Sequence, residues 1–349
     1  MKKARIIFLI VGIGLFGLLF AIFGIRKPIE QIIAFGWKFW LCVAIYFFNQ
    51  ICLTYGWMVL ITPRLSIRRF KNVLLARIAG DSTTTISTAA GMAGDALKAI
   101  YLQDIVPLKA GLASVVMDRT IHMVGNTILI LVGVFIGFFK LKLPLWSLSI
   151  LFAFFALLLG GLFYVMRKQK SGFLAFIISK IPLPIRKRLL SPEREKKIDT
   201  LDEEIRFIFK SRENLNHFYI SLFMHIVPVM LAGTLEVYII MLYAGGSVTL
   251  IDSIFVYLFG LFITSASFFI PMGIGASEGS YSLVLAFLGY DPSLGITIGF
   301  LRRLRALVWS GFGLLLLFHK GIVGAKDTND AMSAKRSVKK TVTKKTRKK

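Results

Sequence analysis

Long apolar runs separated by short basic segments make up most of the chain, and this pattern predicts a bundle of membrane-spanning helices. Several runs contain about 20 apolar residues, enough for a helix to cross the hydrocarbon core of a bilayer. Basic residues precede the first run and follow the last, so the positive-inside rule places both termini in the cytoplasm. We therefore predict an all-α, multi-pass protein of the cytoplasmic (inner) membrane. The predicted full spans are residues 6–24, 37–61, 108–139, 145–165, 217–244 and 292–318.

Two stretches interrupt this apolar pattern in a similar way. Residues 265–280 read SASFFIPMGIGASEGS, and residues 87–98 read STAAGMAGDALK. Glycine and proline interrupt helices, because glycine leaves the backbone unrestricted and proline lacks the N–H that the helix needs. A membrane tolerates the freed backbone groups only where protein or a water-filled cavity satisfies them. Each stretch is therefore predicted to be the turn of a re-entrant helix hairpin, in residues 73–106 and 250–290.

The two breaks share an order of residue types. Each has two glycines before an acid, and an arginine follows the acid at the same spacing in both. The first set is Gly91, Gly94, Asp95 and Arg119, and the second is Gly273, Gly275, Glu278 and Arg302. Matching interruptions in two halves of a membrane protein point to a transporter's central site. We predict two inverted-topology repeats, the first hairpin entering from the cytoplasm and the second from outside.

This organisation divides the chain into five parts. The first break belongs to the first repeat and the second break to the second repeat, with one polar interlude between them. The parts are residues 1–36, the first span and an outer loop (RKPIEQ); 37–170, the first repeat; 171–216, a cytoplasmic amphipathic linker; 217–319, the second repeat; and 320–349, a basic disordered cytoplasmic tail.

Composition narrows the function classes. The chain has 349 residues, 56% of them hydrophobic, and a mean hydropathy of +0.72, which excludes a soluble domain. The net charge of +25 lies mainly at the termini and in loops, where it suits the cytoplasmic side and anionic lipid rather than nucleic acid. Cys42 and Cys52 fall in one predicted helix, and no nucleotide loop or metal motif is present, so no metal or other cofactor is expected.

The breaks and the helices that follow them resemble one known family. GMAGDALKA, SVVMDR, PMGIGASEGS and LRRLRAL, in this order, resemble the lysylphosphatidylglycerol synthase transmembrane-region family. That family includes the flippase portion of bacterial multiple-peptide-resistance factors, so the resemblance implies a flippase-like fold over about residues 5–320. Family members often have Asn and Pro before the first glycines and Arg after the acid, where this chain has TTTISTAAG and Lys98. The soluble aminoacyl-transfer domain of the fused relatives is not among these residues, so that activity is not expected.

These observations favour a lipid translocase with a central charged pocket, a transporter rather than an enzyme. Arginine binds a lipid phosphate through planar, charge-assisted hydrogen bonds, and a carboxylate holds the arginine when the site is empty. The predicted partners are membrane lipids that are anionic or bear phosphate, and a separate lipid synthase is a further candidate. The predicted substrate-binding residues are the four glycines, two acids and two arginines of the matched sets. Secondary candidates are Lys98, His122, Glu236 and Arg303.

Two alternatives remain open at this point. A membrane-embedded, lipid-modifying transferase would use Asp95 and Glu278 as acid and base. A non-transporting scaffold would use its polar residues only to lock helix packing, and would dock a soluble partner on the basic tail and linker. The paired breaks favour the translocase, because packing alone rarely needs two glycine-rich interruptions with matched acids.

Overall fold

The apolar runs form helices in the computed structural model, which describes residues 26–86, 91–140, 146–171, 203, 212–267, 270 and 273–346. Within these ranges all regular structure is helical, which confirms the predicted all-α class. The helices are α1 (Arg26–Phe35), α2 (Phe39–Met58), α3 (Phe70–Ile86), α4 (Gly91–Tyr101), α5 (Leu108–Lys140), α6 (Trp146–Ser171), α7 (Arg212–Gly245), α8 (Leu250–Ala266), α9 (Ala276–Phe287) and α10 (Ser293–Thr346). Short 3-10 turns occupy Gly36–Lys38 and Ile67–Arg69.

Helices of membrane-crossing length occur where the apolar runs predict them. Three segments of the described chain are long and apolar enough to cross a bilayer: Arg26–Met58, Leu108–Lys140 and Leu215–Gly245. They coincide with three of the predicted spans, so the chain is a helical membrane protein. The first predicted span, residues 6–24, and most of the predicted linker, residues 171–216, lie outside the described residues. The count of six spans and the orientation of the termini stay predictions.

Helix α3 packs against α4, and α8 packs against α9, whereas the predicted turns at residues 87–90, 268–269 and 271–272 lie outside the described residues. Helix α4 has 11 residues and α9 has 12, so each is roughly 18 Å long at 1.5 Å per residue. That length is shorter than the hydrocarbon core of about 30 Å. In the second break Gly273 has φ +61° and Gly275 has φ +80°, a backbone conformation that favours glycine. Short helices beside breaks are what the hairpin prediction requires, although re-entry itself stays a prediction.

Glycine has a different role in the first hairpin, where it brings α4 close to α3. A Cβ atom on Gly94 would meet the side chain of Thr84 and would lie 2.6 Å from the carbonyl oxygen of Gly80. No real Cβ tolerates such a contact without displacing backbone. Gly94 therefore permits the close crossing that places Asp95 beside α3.

Buried apolar side chains form one cluster within the first half and a larger one that is centred on the second half and also takes in Cys42 and Leu129 of the first. One cluster joins α2, α3, α4 and α5, and includes Trp57, Val73, Ala99 and Leu102. A larger cluster joins α7, α8, α9 and α10, and includes Val237, Leu258, Leu285 and Ile298. Helix α7 also packs against α2 and α5, and α10 packs against α3. The two halves are thus interlocked, and the polar site lies between them.

Two segments differ from their predicted structure. The expected outer loop RKPIEQ begins helix α1, in which Phe35 is fully buried and Arg26 pairs with Glu30 at 2.8 Å. An apolar face and an i,i+4 ion pair both favour a helix in this segment. Helix α10 continues to Thr346, through most of the tail that the sequence predicts to be disordered. Lysine is a good helix former, and it recurs throughout that tail.

Replacing Thr249 by alanine is expected to lower the free energy of unfolding by about 1 kcal/mol, because Thr249 caps the N-terminus of α8. Its hydroxyl accepts a hydrogen bond from the Asp252 backbone N–H at 3.2 Å and donates to the Asp252 carboxylate at 2.5 Å. Thermal unfolding in detergent measures the change. Thr249→Ser keeps the hydroxyl and should unfold like the wild type; equal losses in both variants would contradict a capping role.

Candidate functional site

A cavity of about 330 Å³ lies among the helices, lined by side chains from α2, α3, α4, α5, α7, α8 and α10. Charged groups at membrane depth are costly unless they are paired or hydrated, and they usually mark a functional site. The described lining contains five cationic side chains, Arg77, Lys98, Arg119, Arg302 and Arg305, and four carboxylates, Asp81, Asp95, Asp118 and Glu236. With histidine neutral, this lining carries one more positive than negative charge.

On one side of the cavity, Lys98 joins the two helices of the first hairpin. Its Nζ lies 2.8 Å from Asp81 Oδ1 on α3 and 3.1 Å from Asp95 Oδ1 on α4. Arg119 on α5 approaches the same acid more loosely, with 4.0 Å between its Nε and Asp95 Oδ2, and half of its side chain is exposed. Asp95 is therefore held firmly by Lys98, whereas Arg119 is exposed enough to reorient toward a ligand.

Deeper in the same half, Arg77 links α3 to α2 and α5. Its Nη1 donates to the Leu53 carbonyl at 3.0 Å and lies 3.3 Å from both carboxylate oxygens of Asp118. Both charged side chains are almost fully buried. The same wall includes His122, whose Nε2 accepts a hydrogen bond from the Asn126 amide nitrogen at 3.2 Å. A buried arginine in such a network positions its acid rather than meeting a ligand directly.

On the opposite side of the cavity, Glu236 on α7 binds two arginines of α10. Arg305 Nη1 lies 2.6 Å from each carboxylate oxygen, and Arg302 Nε lies 3.2 Å from Oε2. Arg302 also donates to the Tyr281 hydroxyl at 2.5 Å. The Arg305 guanidinium stacks over the Tyr46 ring at 4.2 Å from its centroid. Two cations share one carboxylate here, so the surplus positive charge lies on this wall.

Glu278, the acid of the second break, is fully buried and does not line the cavity. Its Oε1 is 2.7 Å from Arg303 Nη2, and its Oε2 accepts from the Gly275 backbone N–H and the Ser277 hydroxyl, each at 2.9 Å. The Gly275 backbone N–H is thus bound by the protein's own carboxylate rather than left to a ligand. Glu278 caps the N-terminus of α9 and ties it to α10.

The sequence predicts Asp95, Arg119, Glu278 and Arg302 in one pocket, and the structure brings three of them to the cavity wall. Arg302 meets Glu236, and its neighbour Arg303 meets Glu278. Successive residues of a helix point about 100° apart, so these two arginines of α10 face different helices. The matched spacing of acid and arginine in the two breaks therefore produces a pair in the first half only.

The other predicted residues fall into two groups. Lys98, His122 and Glu236 line the cavity, whereas Arg303 and the glycines do not. Gly91 begins α4, Gly94 lies at the crossing with α3, and the two glycines of the second break adopt positive φ. A glycine role in ligand binding stays a prediction.

Several charged residues of the site are missing from the sequence-based prediction. They are Arg77, Asp81, Asp118 and Arg305. An ionisable residue within a membrane helix is itself a sequence signal for a functional site. The prediction, however, is based on the paired breaks and the arginines that follow them. Within the described ranges, no group of three or more His, Cys, Asp or Glu residues is suited to hold a metal ion.

Comparison with known proteins agrees with this architecture. Residues 5–313 match the family described as the lysylphosphatidylglycerol synthase TM region. No curated protein and no solved structure matches the chain. The match covers most of the 349 residues and includes both breaks and every described group that lines the cavity. The chain therefore belongs to the lysylphosphatidylglycerol synthase transmembrane-region family.

Proposed function

We propose that the protein is a lipid translocase that moves a phospholipid or polyprenyl-linked lipid across the cytoplasmic membrane. The observation that carries this proposal is the surplus of positive charge on the described wall of a cavity inside a membrane bundle. A lipid phosphate supplies the matching negative charge. A scaffold that needed polar groups only for packing would gain nothing from a charged cavity.

The chemistry of the Glu236 wall suits a phosphate. Arg302 and Arg305 compete for one carboxylate, so an incoming anion can take over donors from one arginine while the other keeps its pair. Guanidinium groups bind phosphate through parallel, charge-assisted hydrogen bonds. Arg119 extends the donor set on the other wall, because half of its side chain is exposed.

The size of the cavity suits a headgroup rather than a whole lipid. About 330 Å³ is at the lower end of the range for small-molecule pockets. A headgroup with its phosphate fits this volume, whereas two acyl chains do not. We therefore propose that the acyl chains stay in the bilayer while the polar part crosses through the cavity.

The membrane arrangement completes the proposal. Both termini lie in the cytoplasm, because basic segments favour that side of the membrane. The two hairpins enter the membrane from opposite faces. Rocking of one half against the other then opens the cavity to each leaflet in turn. The partners are membrane lipids that are anionic or bear phosphate, and a separate lipid synthase would supply the cargo.

Charge removal at Arg302 or Arg119 should reduce translocation about tenfold or more, because a hydrogen bond to a charged group contributes about 1.5–3 kcal/mol. The measurement is the transfer of fluorescent phosphatidylglycerol between leaflets of reconstituted vesicles, with Arg302→Ala and Arg119→Ala compared with the wild type. Arg26→Ala is the matched control, because that side chain is 90% exposed and pairs with Glu30 outside the cavity. Full transport by both cavity variants would contradict the proposal and favour the scaffold.

Lipid analysis of the purified protein identifies the cargo. A phospholipid or polyprenyl-linked lipid should be enriched in the wild type and lost from the double variant Arg119→Ala, Arg302→Ala. Identical bulk-lipid profiles in the two proteins would count against the pocket.

A further inference from the structure

Behind the first wall of the cavity, Asp118 on α5 meets His225 on α7. His225 Nε2 lies 3.2 Å from Asp118 Oδ1, and the side chains are 0% and 5% exposed. The other ring nitrogen, Nδ1, lies 2.8 Å from the Ser221 carbonyl oxygen. Asp118 lines the cavity, so this pair connects the helix core to the site.

The short distance between His225 Nε2 and Asp118 Oδ1 favours one proton more than an ionised acid and a neutral histidine carry. A carbonyl oxygen only accepts, so Nδ1 must carry a hydrogen and donate to Ser221. A neutral imidazole has a single N–H, which leaves a lone pair on Nε2. That lone pair would face a carboxylate oxygen at 3.2 Å in a buried place. The contact is attractive only if one of the two groups carries the additional proton, either Nε2 or the carboxyl group.

Charged and titratable groups surround this pair from several helices. Arg77 is the nearest, with its Nη1 3.3 Å from both oxygens of Asp118. The His122 ring stands edge-on to the His225 ring at 5.7 Å between centroids. The other titratable groups that line the same cavity are Tyr46 on α2, Asp81 on α3, Asp95 and Lys98 on α4, Arg119 on α5, Glu236 on α7, Tyr257 on α8, and Arg302 and Arg305 on α10.

We infer that Asp118 and His225 form a proton-binding site and that its proton is coupled to anion binding in the cavity. The coupling rests on the proposed function. A bound proton adds one positive charge beside a cavity whose described lining already carries a positive surplus, so proton and anion favour each other's binding. Such linkage is reciprocal, because each ligand changes the affinity of the other by the same factor. Co-transport of this proton with an anionic headgroup is a means of driving lipid translocation.

The presence of the proton on the pair is tested with the wild-type protein in lipid bilayers at pH 7. Solid-state nitrogen NMR of histidine-labelled protein distinguishes the imidazolium from each neutral tautomer, and carbon NMR reports the protonation of the Asp118 carboxyl group. The chain has 4 histidines, so single replacements assign the signals. We expect an imidazolium at His225 or a protonated carboxyl at Asp118. A neutral His225 beside an ionised Asp118 would overturn the inference.

The coupling is tested by the binding of dihexanoyl phosphatidylglycerol, a soluble lipid with a phosphate headgroup, over a range of pH. Wild-type affinity should fall at least about fivefold as NMR shows the pair losing its proton. His225→Gln should lose this pH dependence. Affinity that is independent of pH in the wild type would overturn the coupling.

The experiments distinguish an incorrect translocase proposal from an incorrect proton-site proposal. No binding of the probe at any pH would contradict the translocase and remove the coupling with it. The NMR result would still decide whether the pair holds a proton. Conversely, tight binding together with an unprotonated pair would leave the anion site standing and overturn the proton site.

Discussion

Glu236→Gln is expected to lower the free energy of unfolding by about 3–5 kcal/mol, the typical cost of breaking a buried ion pair by removing one partner. Glu236 is 1% exposed and is the carboxylate partner of both Arg302 and Arg305. Glutamine has nearly the same volume but no charge, so two guanidinium groups would lose their counterion inside the bundle. The measurement is thermal or denaturant unfolding of the purified protein in detergent.

Two comparisons separate this charge effect from a general effect of the substitution. Glu30→Gln breaks an exposed pair with Arg26, and such pairs contribute about 0–1 kcal/mol. The double variant Glu236→Gln, Arg305→Met also removes one of the two arginines that have lost their counterion, and it should recover part of the lost stability. If Glu236→Gln unfolds like Glu30→Gln, the ion pair does not hold α7 to α10.

Gly295→Ala is expected to destabilise the protein by about 1–3 kcal/mol or more, the usual cost of overpacking. A Cβ at this position of α10 would collide with the backbone nitrogen and Cα of Ser282 on α9. Backbone cannot move aside as a flexible side chain can, so the two helices would have to separate. Gly299, one turn later, faces the same helix, and its Cβ would lie 2.6 Å from Glu278 Cγ. Small residues at this spacing let membrane helices approach closely.

Gly311→Ala in the same helix is the matched control. Among the described residues no atom lies within 4 Å of a Cβ at Gly311, and alanine favours helix over glycine by up to about 1 kcal/mol. This variant should therefore be neutral or slightly more stable in thermal unfolding. Equal losses at Gly295 and Gly311 would show that glycine flexibility, rather than the close crossing, is what α10 needs.

The Gly295 crossing also bears on the site. It holds α9 against α10, where Glu278 receives its ion pair from Arg303. Separation of the two helices would displace the α10 face that carries Arg302 and Arg305 toward the cavity. Lipid transport by Gly295→Ala should therefore fall together with stability, whereas Gly311→Ala should transport normally.

The order of apolar runs, basic segments and glycine-rich breaks determines much of this protein without its structure. Apolar runs of about 20 residues have few alternatives to helices in a membrane, because every backbone group must be satisfied internally. In the second break the glycines precede a helix, because Gly273 and Gly275 adopt positive φ directly before α9. An ionisable residue in an apolar run, such as Glu236, already points to a site.

Only the tertiary structure decides which charges meet. The matched sequence spacing predicts that Glu278 pairs with Arg302. In the structure, the rotation of α10 about its axis directs Arg302 toward Glu236 and Arg303 toward Glu278. Likewise Asp118 and His225 are far apart in sequence and become neighbours because α5 packs against α7. Local sequence sets the period of a helix and the residues on each face. The rotation of that face toward a partner depends on packing with helices from elsewhere in the chain, and those contacts are long-range.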